Sequence, residues 1–136
     1  MTARIFARTA SGLALFCAAL AAGGCSSEKP TGTVAGIVKY KGNPLTAGEV
    51  NFLSKTGSAG SAKIDANGQY KVTGELEAGE YKAYFAPPRA EPHAPGTKAA
   101  AVPKVDVPAK FRDPGSSGVV VTVKPGSNDI AVEFKD

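Results

Sequence analysis

Residues 33–41 read TVAGIVKYK and run straight into Gly42, Asn43 and Pro44. Alternate positions put Val34, Gly36, Val38 and Tyr40 on one face, which is the period of a half-buried strand. An amphipathic helix would repeat its apolar residues at spacings of three and four. Gly42-Asn43-Pro44 is a turn signal that ends the run. The same grammar recurs downstream. Glu49 to Ser54 turns Val50 and Phe52 inward, and a loose connection over Gly57-Ser58-Ala59-Gly60 leads to Ala62-Lys63-Ile64-Asp65. Ala66-Asn67-Gly68 reads as a tight hairpin turn in which Asn67 and Gly68 take positive φ angles. The returning strand, Gln69 to Thr73, buries Tyr70 and Val72. After Glu77-Ala78-Gly79, the stretch from Glu80 to Ala86 alternates Tyr81, Ala83 and Phe85 against Lys82 and Tyr84. Val119 to Lys124 is nearly all apolar and is expected at the centre of a sheet. Pro125-Gly126-Ser127-Asn128 is expected to turn it into Ile130, Val132 and Phe134. Seven short strands divided by turn residues predict an all-β sandwich.

One segment breaks this rhythm. Residues 87–118 are rich in proline and include an alanine-rich stretch from Thr97 to Val102. Connections of this length inside a compact domain are usually functional or without fixed structure. The second half, Val107 to Gly118, carries Phe111 among prolines and glycines, the composition of a loop pinned to the body by one aromatic ring.

Upstream of the strands the N-terminus has three parts. Arg4 and Arg8 give a positive beginning, Thr9 to Ala22 an apolar stretch dominated by alanine and leucine, and Ala22-Gly23-Gly24 a small-residue run before Cys25. This is the layout of a secretory signal helix. Its apolar part is about 14 residues, short of the roughly 20 that span a bilayer. The residues before Cys25 resemble a lipobox, the site where bacterial lipoprotein precursors are acylated on a cysteine thiol and cleaved in front of it. Ala22 stands where leucine is commonest in that motif. The resemblance implies residues 1–24 as a lipoprotein signal peptide, lipidation on Cys25, and 25–31 as a short tether. The domain then covers 32–136, with its long loop at 87–118. Acyl chains on one residue supply the multiple hydrophobic signals that stable anchoring needs. Cys17 leaves with the signal, so the mature domain keeps no thiol for a disulfide and must be held by packing. Ser26 to Thr31 reach at most about 20 Å when extended, which keeps the domain close to its membrane.

The formal charge is +4, but Arg4 and Arg8 contribute two of it. From Cys25 onward fourteen Lys and Arg face twelve Asp and Glu, so 14 − 12 leaves +2, with the signs interspersed. A nucleic-acid surface needs clustered cations, and none is visible.

Taken together, the residues 34–45, from Val34-Ala35-Gly36-Ile37 through Gly42-Asn43-Pro44-Leu45, resemble the opening of carboxypeptidase regulatory-like domains. Asp65-Ala66-Asn67-Gly68-Gln69-Tyr70 and Ala78-Gly79-Glu80-Tyr81-Lys82 resemble the hairpin and next strand of that family. Val107-Pro108, Phe111-Arg112-Asp113-Pro114 and Ser117-Gly118 are similar to the late segment of short planctomycete-type lipoproteins that carry one such domain. The resemblance spans the mature chain and implies a seven-stranded transthyretin-like (prealbumin-like, Ig-like) sandwich. Its motifs are strand and turn punctuation, so they speak for fold rather than activity.

Enzymatic chemistry finds little support. His93 is the single histidine and stands between prolines in the long loop. There is no nucleophile elbow, phosphate-cradling glycine loop or zinc spacing. The hydroxyisourate hydrolases of the transthyretin-like fold need several histidines and a C-terminal Tyr-Arg-Gly-Ser, whereas this chain ends Glu133-Phe134-Lys135-Asp136. Asp65-Ala66-Asn67-Gly68 lacks the further ligands of a calcium loop and reads as a hairpin. No cofactor is expected. Tyr84, Phe111 and Arg112 are the residues expected on a binding surface, with Arg112-Asp113 expected as a salt bridge that braces the loop. The leading expectation is a non-enzymatic, membrane-anchored binding or structural module at the periplasmic or outer-membrane face, touching an envelope protein or glycan. The rival is a small carrier or hydrolase with a shallow pocket under loop 87–118.

Overall fold

The computed structural model describes residues 27–90, 92, 95–98 and 101–136. The expected signal helix, Cys25 and His93 lie outside the described residues. Two β-sheets pack face to face. At the centre of the first is β1 (Thr31–Tyr40), the longest strand. On one side it pairs antiparallel with β2 (Asn43–Pro44), β5 (Gln69–Lys71) and β6 (Leu76–Glu77). On the other side it pairs parallel with β9 (Gly126–Asp129) and β10 (Val132–Phe134). Gly32 faces Gly126 and Tyr40 faces Phe134 in one unbroken register, so β9 and β10 are a single run interrupted at Ile130 and Ala131. The second sheet is antiparallel throughout, in the order β4 (Ala59–Lys63), β3 (Glu49–Ser54), β7 (Gly79–Ala86), β8 (Val119–Val123).

The core is the sum of the inward faces. Val34 and Val38 of β1, Val50 and Phe52 of β3, Tyr81, Ala83 and Phe85 of β7, Val121 and Val123 of β8, and Val132 and Phe134 of β10 are all buried. The period-two pattern thus places nearly every large apolar side chain inside, and this burial is the main favourable term in folding. Among the described residues only Val102 and Val120 are large hydrophobics left exposed.

Four local expectations are corrected. Val119–Val123 is the outer strand of its sheet, not a central one, and Val120 is 55% exposed. Ala59 and Gly60 belong to β4, opposite Leu53 and Phe52, rather than to a loose connection. Gly126 to Asn128 is strand, aligned beside β1, because the Asn128 side chain bonds both the N–H and the C=O of Lys124 (2.8 and 2.7 Å) and closes the turn behind it. In the hairpin only Gly68 takes a positive φ, +82°. Asp65 makes this turn by accepting the N–H groups of Asn67 (2.8 Å) and Gln69 (2.9 Å) on one carboxylate oxygen.

Tyr70 spans β1 from one neighbour to the other. Its ring leaves β5 opposite Gly36, and its hydroxyl donates to the Ile130 carbonyl at 2.8 Å. Burial, with Asp129 adding to it, raises the phenol well above the usual tyrosine range. Because the folded state holds the proton more tightly than the unfolded chain, the associated stability is complete below the ordinary tyrosine pKa of about 10 and is lost above it. In alkaline titrations followed by thermal unfolding, Tyr70→Phe is therefore expected to flatten the fall in Tm above that pH. An unchanged slope in the variant would contradict this.

Candidate functional site

Strand direction fixes two poles. At one lie the start of β1, the Ser54–Ser58 turn, β6 and the β8–β9 connection. Here the incoming chain is already held: Lys29 pairs with Glu77 at 2.9 Å, and the Pro30 carbonyl accepts from Ala78 at 2.7 Å. Ten residues of β1, at about 3.3 Å each, carry the chain roughly 30 Å to the other pole. That far pole holds the β1–β2 turn, the start of β3, the end of β7 and the segment 105–118.

The second half of the long loop is part of the body. Val107 and Phe111 are core residues, Ser117 is buried, and Ala109–Arg112 form a 3₁₀ turn. Phe111 is only 2% exposed, with its ring centroid 5.3 Å from Phe134 and 6.0 Å from Tyr40. This corrects its expected place on a contact surface: the aromatic pins the loop and offers nothing to a partner. Arg112 is exposed and donates Nε and Nη2 to the Val107 carbonyl at 3.2 and 2.8 Å, so it braces the loop through backbone. Asp113, expected as its ion-pair partner, accepts instead from the Gly115 N–H at 2.7 Å and begins the turn leading to β8. Beside this loop Asp136 joins Lys110 (2.8 Å), Lys41 (2.6 Å) and the Tyr40 hydroxyl (3.0 Å). Its bonds to Lys110, Lys41 and Tyr40, in that order, hold the carboxyl far below the usual carboxylate range, and Asp136 raises Lys41 in turn.

Tyr84 has a different setting. It points away from the core on the outer face of β7 and is half-buried. Asn51 of β3 stands directly opposite it, and Glu49, two residues along the same face, pairs with Ala86 on one side and Lys63 of β4 on the other. Leaving β7, the chain rises over this floor as Pro87-Pro88-Arg89, with Pro92 beyond. Floor and strap enclose a cleft of about 630 Å³ whose walls mix apolar and polar groups. It is the smaller but more enclosed of two substantial hollows. The other, about 1070 Å³, is a shallow groove along Ile37, Lys71 and Asp129. Sequence reasoning named Tyr84 alone from this cleft. Glu49, Asn51 and Lys63 were readable as outward positions on their strands, but the register that assembles them was not.

Among the described residues no group of three or more His, Cys, Asp or Glu could hold a metal ion, and no helix is long and apolar enough to cross a membrane. Comparison with known proteins yields no match, whether to a family model, a curated protein or a solved structure.

Proposed function

We propose that this chain is a lipoprotein of the bacterial envelope, acylated on Cys25, whose transthyretin-like, carboxypeptidase regulatory-like domain serves as a non-enzymatic binding or structural module. The observation that carries the reading is where the sandwich starts. Lys29 and Pro30 are already bonded to β6 and its flank, so a chain lipidated on Cys25 would have at most residues 25–28 between its lipid and the body. Four extended residues reach about 14 Å. A domain hung this way keeps the pole of β6 against the bilayer and turns the opposite pole, with the cleft and the segment 105–118, toward the envelope space.

The finer fold reading draws support from strand order. With β9 and β10 taken as one run and two-residue β2 and β6 set aside, seven strands remain, three in one sheet and four in the other. The cleft beneath Pro87 favours the carrier half of the rival reading, since it supplies a half-open hollow where a small ligand could lodge.

Affinity capture of the protein from its own membranes, with mass spectrometry of both its N-terminus and its co-purifying species, tests the proposal. The expected product begins at Cys25 with acyl mass on that residue. Photo-crosslinkers at Arg89 and Lys104 are expected to capture an envelope component that a crosslinker at Lys124, near the bilayer, does not. A mature N-terminus elsewhere, or a protein that washes off vesicles without acyl mass, overturns the anchor. Equal capture from both poles overturns the orientation.

A further inference from the structure

We propose that the cleft between the outer face of β3, β4 and β7 and the Pro87-Pro88-Arg89 strap is a glycan site, with the Tyr84 ring as its stacking platform and Asn51, Glu49 and Arg89 as its hydroxyl partners. The inference rests on the binding-module reading and gives that module a ligand class.

The chemistry of the lining selects the ligand. A pyranose is amphipathic in a particular way: its C–H groups make an apolar face and its hydroxyls a polar rim. Tyr84 is anchored by half-burial yet borders the cleft, which leaves aromatic surface for such a face. Asn51 lies directly across the strand pair, where Cβ atoms stand about 5 Å apart, so its amide sits within reach of the rim of a sugar resting on the ring. An amide both donates and accepts, which is what a hydroxyl requires. Beyond it, small Ala86 opposite Glu49 keeps the floor open beside the ring, while the carboxylate accepts and the Arg89 guanidinium donates from the strap. A volume of about 630 Å³ has room for about two sugar units.

Other ligand classes fit less well. A lipid chain would leave Asn51, Glu49 and Arg89 desolvated without partners, at a cost of a buried polar group each. A phosphate or other compact anion would have Lys63 and Arg89 beside it but would also meet the Glu49 carboxylate, which stands opposite Lys63 on the same floor. A proline-rich peptide could lie on Tyr84 but would not use the carboxylate and guanidinium together.

Titration of the isotope-labelled full-length protein in detergent micelles, with backbone amide shifts as the readout, tests this. The probes are chitotriose and maltotriose, with a proline-rich decapeptide beside them. At least one trisaccharide is expected to move the amide signals of Asn51, Tyr84 and Arg89 in a saturable way. Tyr84→Ala is expected to weaken that binding about tenfold, and Tyr84→Phe to stay within about threefold. Asn51→Ala, at an outward position, should weaken it as well and serves if Tyr84→Ala disturbs the sheet. No shift with either sugar overturns the glycan assignment, as does a response to the peptide alone. Sugar binding that survives both alanine variants overturns the location. Should envelope capture fail while purified protein still binds sugar at these residues, the tethered-module reading falls and the site stands.

Discussion

Phe111→Ala is expected to cost about 3–5 kcal/mol, the range for truncating a fully buried phenylalanine, because it removes both the transfer energy of the ring and the packing around the hole it leaves. Its neighbours cannot readily close that hole. Phe134 and Tyr40 are fixed on adjacent strands of the first sheet, and Phe134 also meets Phe85 of the second sheet with ring centroids 6.5 Å apart. The ring is therefore an interior link of an aromatic chain, Tyr40–Phe111–Phe134–Phe85, that crosses the sandwich. It is also the principal anchor of a segment with little regular structure, where Val107 is the other fully buried apolar side chain and the Arg112 brace depends on both staying in place. Two readouts should move together. Denaturant unfolding should show the loss of global stability, and limited proteolysis should cut within residues 105–118 before the sheets open, since locally weakened units open below the global unfolding energy. A loss under 1 kcal/mol would show that the loop carries its own stability and that the aromatic chain is not what holds it.

How much of this was legible in the residues depends on the kind of information each feature needs. Alternation is a local signal, so Val34 and Val38, Val50 and Phe52, and Tyr81, Ala83 and Phe85 could be assigned inward without knowing what they face. That Phe111 pins its loop was also readable, from a single aromatic among loop formers. Place within a sheet is not local. Valine suits any pleated, half-buried surface, so Val119 to Val123 looks the same at an edge as in a centre. Glycine misled for a related reason. Gly60 reads as a loop residue, yet it sits in β4 because a Cβ there would lie 2.6 Å from the Leu76 side chain, and the strand needs the vacancy to let Leu76 pack. Likewise Gly126-Ser127-Asn128 carries turn-forming residues, and the turn is made by Gly126 at φ +90° and by the Asn128 side chain, while the run still pairs beside β1. The cleft was the least legible feature. Glu49, Asn51, Lys63 and Tyr84 are separated along the chain and become neighbours only through the registers of three strands, which alternation does not specify.

The same lesson about vacancies makes Gly36→Ala the other severe substitution. A Cβ at this position would stand 2.0 Å from the Ile130 carbonyl oxygen and 2.7 Å from its carbon, and both are backbone atoms that no rotamer change can move aside. The close approach has a purpose. It is at Ile130 and Ala131 that the parallel pairing to β1 is interrupted between β9 and β10, and there the Ile130 N–H still bonds the Ala35 carbonyl at 2.8 Å while its own carbonyl leans over Gly36 to meet the Tyr70 hydroxyl. The missing side chain is thus the passage through which a tyrosine on one neighbour of β1 reaches the backbone of the other. Alanine would force the strands apart, at the 1–3 kcal/mol typical of overpacking, and would strand a partly buried carbonyl and hydroxyl for a further 1–3 kcal/mol. The combined loss of about 4 kcal/mol is a large share of the 5–15 kcal/mol that stabilises an ordinary domain. Thermal unfolding followed by circular dichroism is expected to show the variant melting far below the wild type, with Tyr70→Phe losing only the hydrogen-bond part. Made in the Tyr70→Phe background, Gly36→Ala should cost less than it does alone, because the bond it would break is already gone. If the two losses simply add, the steric contact and the tyrosine bond are separate matters, and the passage through Gly36 is no more than a close approach.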